Sequence, residues 1–384
     1  MDHCHDVNYF DLAHKHRYFG SNLDDKAKPR NRNKNDDAGA DVIAGAITQN
    51  STAITPETTK ICCVILSFNG ADDTISCIES INAQEQPGFD LLVIDNGSSP
   101  GTTEKIIAAH PGVELIALSE NLGWAGGNNF GIKLALQRDY DWVCLLNNDT
   151  VFPDGEVANW IRAIRTAPPC LLHPTIHYWD QPEVAQITAA GEVNGQPNHR
   201  AASWNGKITM EHAYGACIAI PQKIFESVGL LDERLFVQLE ETDFHRRAVQ
   251  KGFIAACDST VKIFHKESRS FGGVRAPIKI YYTVRNSLLL IEKTPARLKQ
   301  KLQSLKELYW TINQIASAAL NTQNLGKIAA IRWLTSTAPS AISVRAGITD
   351  YTLRRFGRIS DRRHSYLKTM ESKAANKKSD SNTM

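Results

Sequence analysis

The chain predicts an α/β fold: a mostly parallel sheet covered by helices on both faces, with a helical extension after it. Three observations carry this reading. Short, wholly apolar runs such as Ile61–Leu66, Leu91–Ile94 and Trp142–Leu146 read as strands buried on both faces. Helical patterns fall between these runs over short connections, which call for right-handed crossovers. Each run also stops at small or polar residues, namely Asn69, Asp95, Asn121, Asn147 and Asp149. Turn chemistry accounts for asparagine and glycine at such points. Collecting so many amides and acids on one sheet edge fits a nucleotide site better, because open α/β sheets bind ligands beyond the carboxyl ends of their strands.

In order, residues 1–55 are polar, rich in Asp, Asn, Lys and His, and without periodicity, so they read as a disordered segment. His3, Cys4, His5, His14 and His16 lie in it, and a polar tail explains them better than a metal site does. The first strand, from Ile61, ends in Ser67-Phe68-Asn69-Gly70, and Ile75, Ile78 and Ile81 then mark a helix face. The second strand stops at Asp95-Asn96-Gly97-Ser98. A helix from Glu104 to Ala109 leads to a third strand from Val113 to Leu118. Gly123-x-x-Gly126-Gly127-Asn128 is not a dinucleotide fingerprint, but it opens a helix, so its N–H groups can face a phosphate or a sugar hydroxyl.

The strand from Trp142 ends in Asn147-Asn148-Asp149. A carboxylate there, two residues after an amide, can hold a divalent cation or accept from a ribose; an ordinary Asn/Asp turn is the plainer reading. Residues 153–220 read as short strands and loops, including Gly191–Gly195 and Ser203-Trp204-Asn205-Gly206, and suit an acceptor-binding wall or a plain loop region. Pro221 reads as a helix start. Glu240-Glu241-Thr242-Asp243 opens a helix with Phe244 and Ala248 inward. The helix dipole favours acids in a first turn, yet three carboxylates in four positions repel, which can lift one into the range of a general base. Val261–His265 ends a further strand in a histidine, Gly272-Gly273 marks a loop, and Tyr281–Asn286 lies on a helix. Beyond Pro295, Leu298, Leu302, Leu305, Leu308 and Tyr309 recur at helical spacing in a basic segment carrying Arg332, Arg345, Arg354, Arg355 and Arg358.

The totals exclude several classes. With 384 residues, 42% hydrophobic and 22% charged, at a formal charge of +2, the chain reads as one large domain with an appendage. Its eight cysteines form no CxxC pair, so neither a zinc site nor a disulfide framework is indicated. No run reaches 18 apolar residues and no signal-peptide core opens the chain, so a reducing cytoplasm is the expected setting. The sequons at Asn50, Asn96 and Asn148 read as chance.

Taken together, Ser67-Phe68-Asn69, Asp95-Asn96-Gly97-Ser98, Asn121 through Asn129, Leu146-Asn147-Asn148-Asp149, Glu240-Glu241-Thr242-Asp243, His265 and Arg285-Asn286 follow one another as in family 2 glycosyltransferases. The chain resembles the rhamnosyltransferase-like and galactofuranosyltransferase-like members over about residues 60 to 290. Gly347–Asp350 with Arg355-Phe356-Gly357 is also similar to the tail of such enzymes.

The resemblance implies a Rossmann-like GT-A fold and inverting transfer of a single sugar, rhamnose among the candidates. The donor would be a nucleotide diphosphate and the acceptor a saccharide or lipid-linked saccharide, for surface polysaccharide assembly. By position, Ser67, Asn69, Asp95, Gly126, Asn128 and Asn147 would line the donor site. Asp149 and His265 would hold Mg²⁺ or Mn²⁺, and Glu241 would act as base beside Asp149. Glu240, Asp243, Trp124 and Arg285 would meet the acceptor or a phosphate.

Two departures stand out: Asn147 replaces the motif's first acid, and Glu241 stands where the family's base is usually Asp. The domains expected are 56–292 for catalysis, 293–370 for a basic helical extension, and 371–384 for a disordered tail; the extension's basic and aromatic residues suit either a solvated helical cap on the catalytic domain or a surface for anionic lipid at the inner face of the plasma membrane. A processive synthase is disfavoured because Q-x-x-R-W is missing (Ala329 precedes Arg332-Trp333). A sugar-phosphate nucleotidyltransferase would need a different loop after the first strand. The rival from another class is a non-catalytic nucleotide-sugar or glycan-binding protein of the same fold.

Overall fold

The computed structural model describes residues 59–84, 88–187, 203–204, 207–210, 213–266, 276–322, 325–367 and 369. The segment 1–55 with its histidines, Gly191–Gly195, Asn205-Gly206, Glu211-His212, Gly272-Gly273 and the tail 371–384 lie outside them.

Strands β1 (Ile61–Ser67), β2 (Phe89–Asp95), β3 (Glu114–Ala117) and β4 (Trp142–Asn147) are mutually parallel. Between them run α1 (Ala71–Asn82), α2 (Thr102–Ala109) and α3 (Gly123–Gln137). Then come β5 (Thr150–Val151), α4 (Glu156–Thr166), β6 (Leu171–Tyr178), β7 (Ala185–Ile187), β8 (Ser203–Trp204), β9 (Lys207–Met210) and β10 (Cys217–Pro221). Helices α5 (Gln222–Val228) and α6 (Glu240–Gln250) precede β11 (Ala255–His265). Among the described residues the strands form one sheet in the order β3-β2-β1-β4-β10-β6-β11-β9-β8, with β5 on β11 and β7 on β6.

The sheet is mixed beyond β4, since β10 runs antiparallel to both β4 and β6. The segment read as short strands and loops therefore holds more order than expected. Val157, Trp160, Ile161 and Ile164 give α4 a buried stripe at helical spacing, and Cys217–Pro221 is a fully buried strand beside β4.

Alternation along β1 assigns the two faces of the sheet. Val64 and Leu66 meet α3, where a Cβ added at Gly131 would lie 2.4 Å from Val64 and one at Gly127 would lie 2.5 Å from Leu66. Ser67 faces the other way, toward Thr74 of α1. The face that carries Cys63 and Cys144, paired in register, is covered by α4, whose Trp160 indole N–H meets the Cys144 sulfur at 3.4 Å. Register then brings the strand ends level: Ser67 pairs with Asp95, Leu66 with Asn147, and Asp95 with Ala117.

Helices α7 (Pro277–Lys293), α8 (Leu298–Ala319), α9 (Lys327–Leu334) and α10 (Pro339–Thr352) follow. A second core of Ile280, Val284, Ile315, Trp333, Ala341 and Val344 joins them. On α8 this core takes Ile315 and Ala316, while Leu298, Leu302, Leu305 and Tyr309 point outward, 43% to 75% exposed. No helix among the described residues is long and apolar enough to cross a membrane.

Candidate active site

The corner where β1 and β2 end is knotted by short polar side chains. Asn69 adopts left-handed backbone (φ +56°) and donates its N–H to Ser98 Oγ at 2.8 Å, while its Oδ1 accepts from the Ser99 N–H at 2.7 Å. Asp95, on the face opposite α3, accepts from the Ser98 N–H and hydroxyl and from the Thr103 hydroxyl. Ser67 does not face a ligand as expected. Its hydroxyl is wholly buried and bonds Thr74 at 2.8 Å, so it shapes the end of the strand.

The glycine loop is held from beneath by Asn96, a member of the Asp95–Ser98 motif of which no role of its own was expected. Asn96 accepts from the Leu122 N–H and donates to Asn121 Oδ1 and the Gly123 carbonyl. Gly123 has φ +75°, and a Cβ there would sit 2.3 Å from the Phe236 carbonyl, so only glycine fits. Gly126 lies in the first turn of α3 against Leu122. Asn128 is buried and donates to the Trp124 carbonyl at 2.9 Å, leaving its Oδ1 without a partner. Because Asn147 shares the face of Leu66, its Oδ1 meets α3 and accepts from the Trp124 indole N–H at 2.9 Å.

Two residues on, Asp149 and His265 meet. β5 pairs with the end of β11, and the Lys266 N–H bonds the Asp149 carbonyl, which brings His265 Nε2 to 3.2 Å from Asp149 Oδ1. Both side chains are nearly buried. Burial alone would raise the Asp149 carboxyl; when His265 carries a proton on Nε2, its hydrogen bond and charge, followed by a backbone N–H and Lys266, outweigh burial and hold the group below its ordinary range. Cis ligands on an octahedral cation with bonds of about 2.1 Å lie about 3 Å apart, so this pair fits two positions on Mg²⁺ or Mn²⁺. Among the described residues no third His, Cys, Asp or Glu joins them. Such a cation would therefore draw most of its shell from phosphate oxygens and water.

The acidic helix is set by an unusual loop. Phe236, Gln238 and Leu239 all have left-handed backbone, at φ +64°, +75° and +73°. Strain of this kind persists only where the surroundings enforce it. Here Asn286 donates to the carbonyls of Leu235, Val237 and Gln238, and Arg285 donates to those of Arg234 and Leu235. Arg285, expected to meet a phosphate, is fully buried. Its remaining donors go to Gly357 O, Tyr281 and Asn286, and its plane lies against the Tyr282 ring, so it is a structural clamp. Asp243 is likewise turned away from any acceptor, into ion pairs with Arg247 at 2.8 Å and Lys293 at 2.5 Å.

The two acids left at the helix start differ from each other. Glu241 is half-buried, with the Thr242 hydroxyl at 3.2 Å, and burial raises its carboxyl. Glu240 is buried with one oxygen unpartnered, and burial together with the neighbouring Glu241 charge pushes it well above the carboxylate range.

No hydrogen bond or ion pair joins Glu241 to Asp149 among the described residues. They are connected through Asn147, Trp124 and Phe236, whose carbonyl accepts the Ala125 N–H at 3.3 Å.

Comparison with known proteins agrees with this arrangement. Residues 62–229 match the model of Glycosyl transferase family 2. The chain is 24% identical over 226 residues to N-acetylglucosaminyl-diphospho-decaprenol L-rhamnosyltransferase of Mycobacterium tuberculosis, covering 50% of this chain and 70% of that protein. It is 22% identical over 274 residues to the dTDP-rhamnosyl transferase RfbF of Shigella flexneri, covering 66% and 86%. The galactofuranosyltransferase GlfT1 of Mycolicibacterium smegmatis is 23% identical over 215 residues, covering 54% and 71%. The parallel half of the sheet with its acid-bearing edge and this set of relatives agree: the chain is a glycosyltransferase, matching family 2 over residues 62–229 and similar to rhamnosyltransferases and galactofuranosyltransferases.

Proposed function

We propose that this enzyme moves one sugar, rhamnose being the first candidate, from a nucleotide-diphosphate donor to a saccharide or lipid-linked saccharide, with inversion at the anomeric carbon. The observation that carries the reading is the Asp149–His265 pair at 3.2 Å on the edge where β1, β2 and β4 end. These two residues would hold Mg²⁺ or Mn²⁺, which when bound offsets the charge that develops on a departing diphosphate. Asn69 and Asp95 shape the corner for the nucleotide, and the start of α3 brings Gly126 and Asn128 to the sugar side, Asn128 with one amide oxygen left without a partner. Glu241 is the base: half-buried, and raised by burial above the ordinary carboxylate value, it takes the acceptor hydroxyl proton as that oxygen attacks. Trp124 supplies an aromatic wall fixed by Asn147.

The outward row of α8, with basic residues around it, suits an anionic membrane face in the cytoplasm, where a lipid-linked acceptor would be presented. Catalysis and mere binding are separated by nucleoside-diphosphate release from a panel of nucleotide sugars with Mn²⁺. Glu241→Gln is expected to lower turnover by roughly 10²–10⁴-fold with donor affinity little changed. Donor binding by the parent with no release, across saccharide and lipid-linked acceptors, would identify a binding protein instead.

A further inference from the structure

The surroundings of His265 fix which of its nitrogens can face Asp149. Gln186 stands on β7, where β6 residues Ile176 and His177 pair with Ile187 and Ala185, so Gln186 is the extra residue of a bulge. Bulges re-aim side chains, and this one sends the Gln186 amide to His265. Its Nε2 donates to the His265 carbonyl at 3.0 Å, and its Oε1 lies 2.9 Å from His265 Nδ1. The carbonyl can only accept, so the amide cannot be flipped. Its oxygen must then face Nδ1, which has to carry the proton. In the neutral ring this leaves Nε2 as a lone pair pointing at the Asp149 carboxylate, two acceptors 3.2 Å apart. A cation between them reconciles that pairing.

We infer that Gln186 is a positioning residue: it locks His265 in the Nδ1–H form, so that Nε2 and Asp149 present a ready pair of ligands to a divalent cation. The inference deepens the metal reading above and rests on it. Outer partners of this kind typically contribute about 10–100-fold to metal affinity.

The test uses the full chain with its histidine rings labelled with ¹⁵N, at pH 8 and free of metal, the His265 signals being assigned by their loss in His265→Ala. The parent should show a proton on Nδ1 and an unprotonated Nε2. Gln186→Ala should release the ring to the Nε2–H form, which donates to Asp149. Mn²⁺ titrated alone and followed by electron paramagnetic resonance should then bind Gln186→Ala about 10–100-fold more weakly. Gln186→Glu, which keeps an acceptor for Nδ1, should restore most of that affinity. A parent ring protonated on Nε2, or an unchanged tautomer and Mn²⁺ affinity in Gln186→Ala, overturns the role of Gln186 while leaving the metal reading standing. A parent that shows the Nδ1–H form yet binds no Mn²⁺ overturns the metal reading instead.

Discussion

Glu240 and Glu241 are adjacent in sequence and sit in unlike surroundings, and that contrast is open to measurement. Glu240 is raised in the folded protein, so folding favours its protonated form. In the unfolded chain it ionises near the ordinary glutamate value of 4.5. Below that value both states hold the proton and nothing is lost; as pH rises above it, the unfolded state gains by ionising and the folded state does not. Glu240→Gln removes this penalty. The difference in Tm between variant and parent should accordingly be smallest near pH 4 and grow in the variant's favour toward pH 8. A difference independent of pH would contradict the assignment. Sequence reading reached the acids themselves, because clustered carboxylates at a helix start are visible in a string of letters. It could not tell that Asp243 is neutralised by Lys293, fifty positions later, or that Arg285 spends its donors on carbonyls. Gln186 left no signal, since its role depends on a bulge and on a strand from another part of the chain.

At the level of elements, the parallel half of the sheet was legible because each strand is a closed apolar run followed by a helix. The half beyond β4 was less so. α4 carries its stripe at ordinary spacing, but the polar and proline-rich stretch after it hid the change of pattern, and β10 is only five residues long. The contact between the α3 entry and the loop before α6 is where two elements depend on one another most tightly. Gly123→Ala would place a methyl 2.3 Å from the Phe236 carbonyl in left-handed backbone. The backbone conformation alone costs about 1–3 kcal/mol, and the clash adds to it. A lower urea midpoint at unchanged slope, together with a fall in turnover as the Glu241 helix shifts, is expected. Full stability and activity in Gly123→Ala would show that the two loops move independently.

Over the whole molecule, apolar side chains on α8 and α9 (Leu302, Leu305, Ile328 and Ile331 among them) remain outside both cores. Between residues 297 and 335 there are six Lys or Arg against one Glu, a net of +5. Attraction to anionic headgroups is worth about 1 kcal/mol per basic residue near the surface. The chain should sediment with phosphatidylglycerol vesicles and not with phosphatidylcholine ones, and binding should weaken with salt. Leu302→Ser with Ile328→Ser should abolish it while leaving turnover on a soluble acceptor intact. Equal binding to both vesicle types would point to a protein partner for this face.

The clamp formed by Arg285 also ties the two ends of the protein's design together. One guanidinium grips the carbonyls of residues 234 and 235, just ahead of the acidic helix, and that of Gly357, near the end of the described chain. Tyr281 and Tyr282 add bonds to Asp350 and Ile359 across the same seam. The boundary expected at 292/293 is therefore crossed by the contacts that hold the loop before Glu241. Anyone shortening this enzyme for crystallisation, or grafting its front half onto a foreign tail, would be pulling out the pin on which the acid hinge turns.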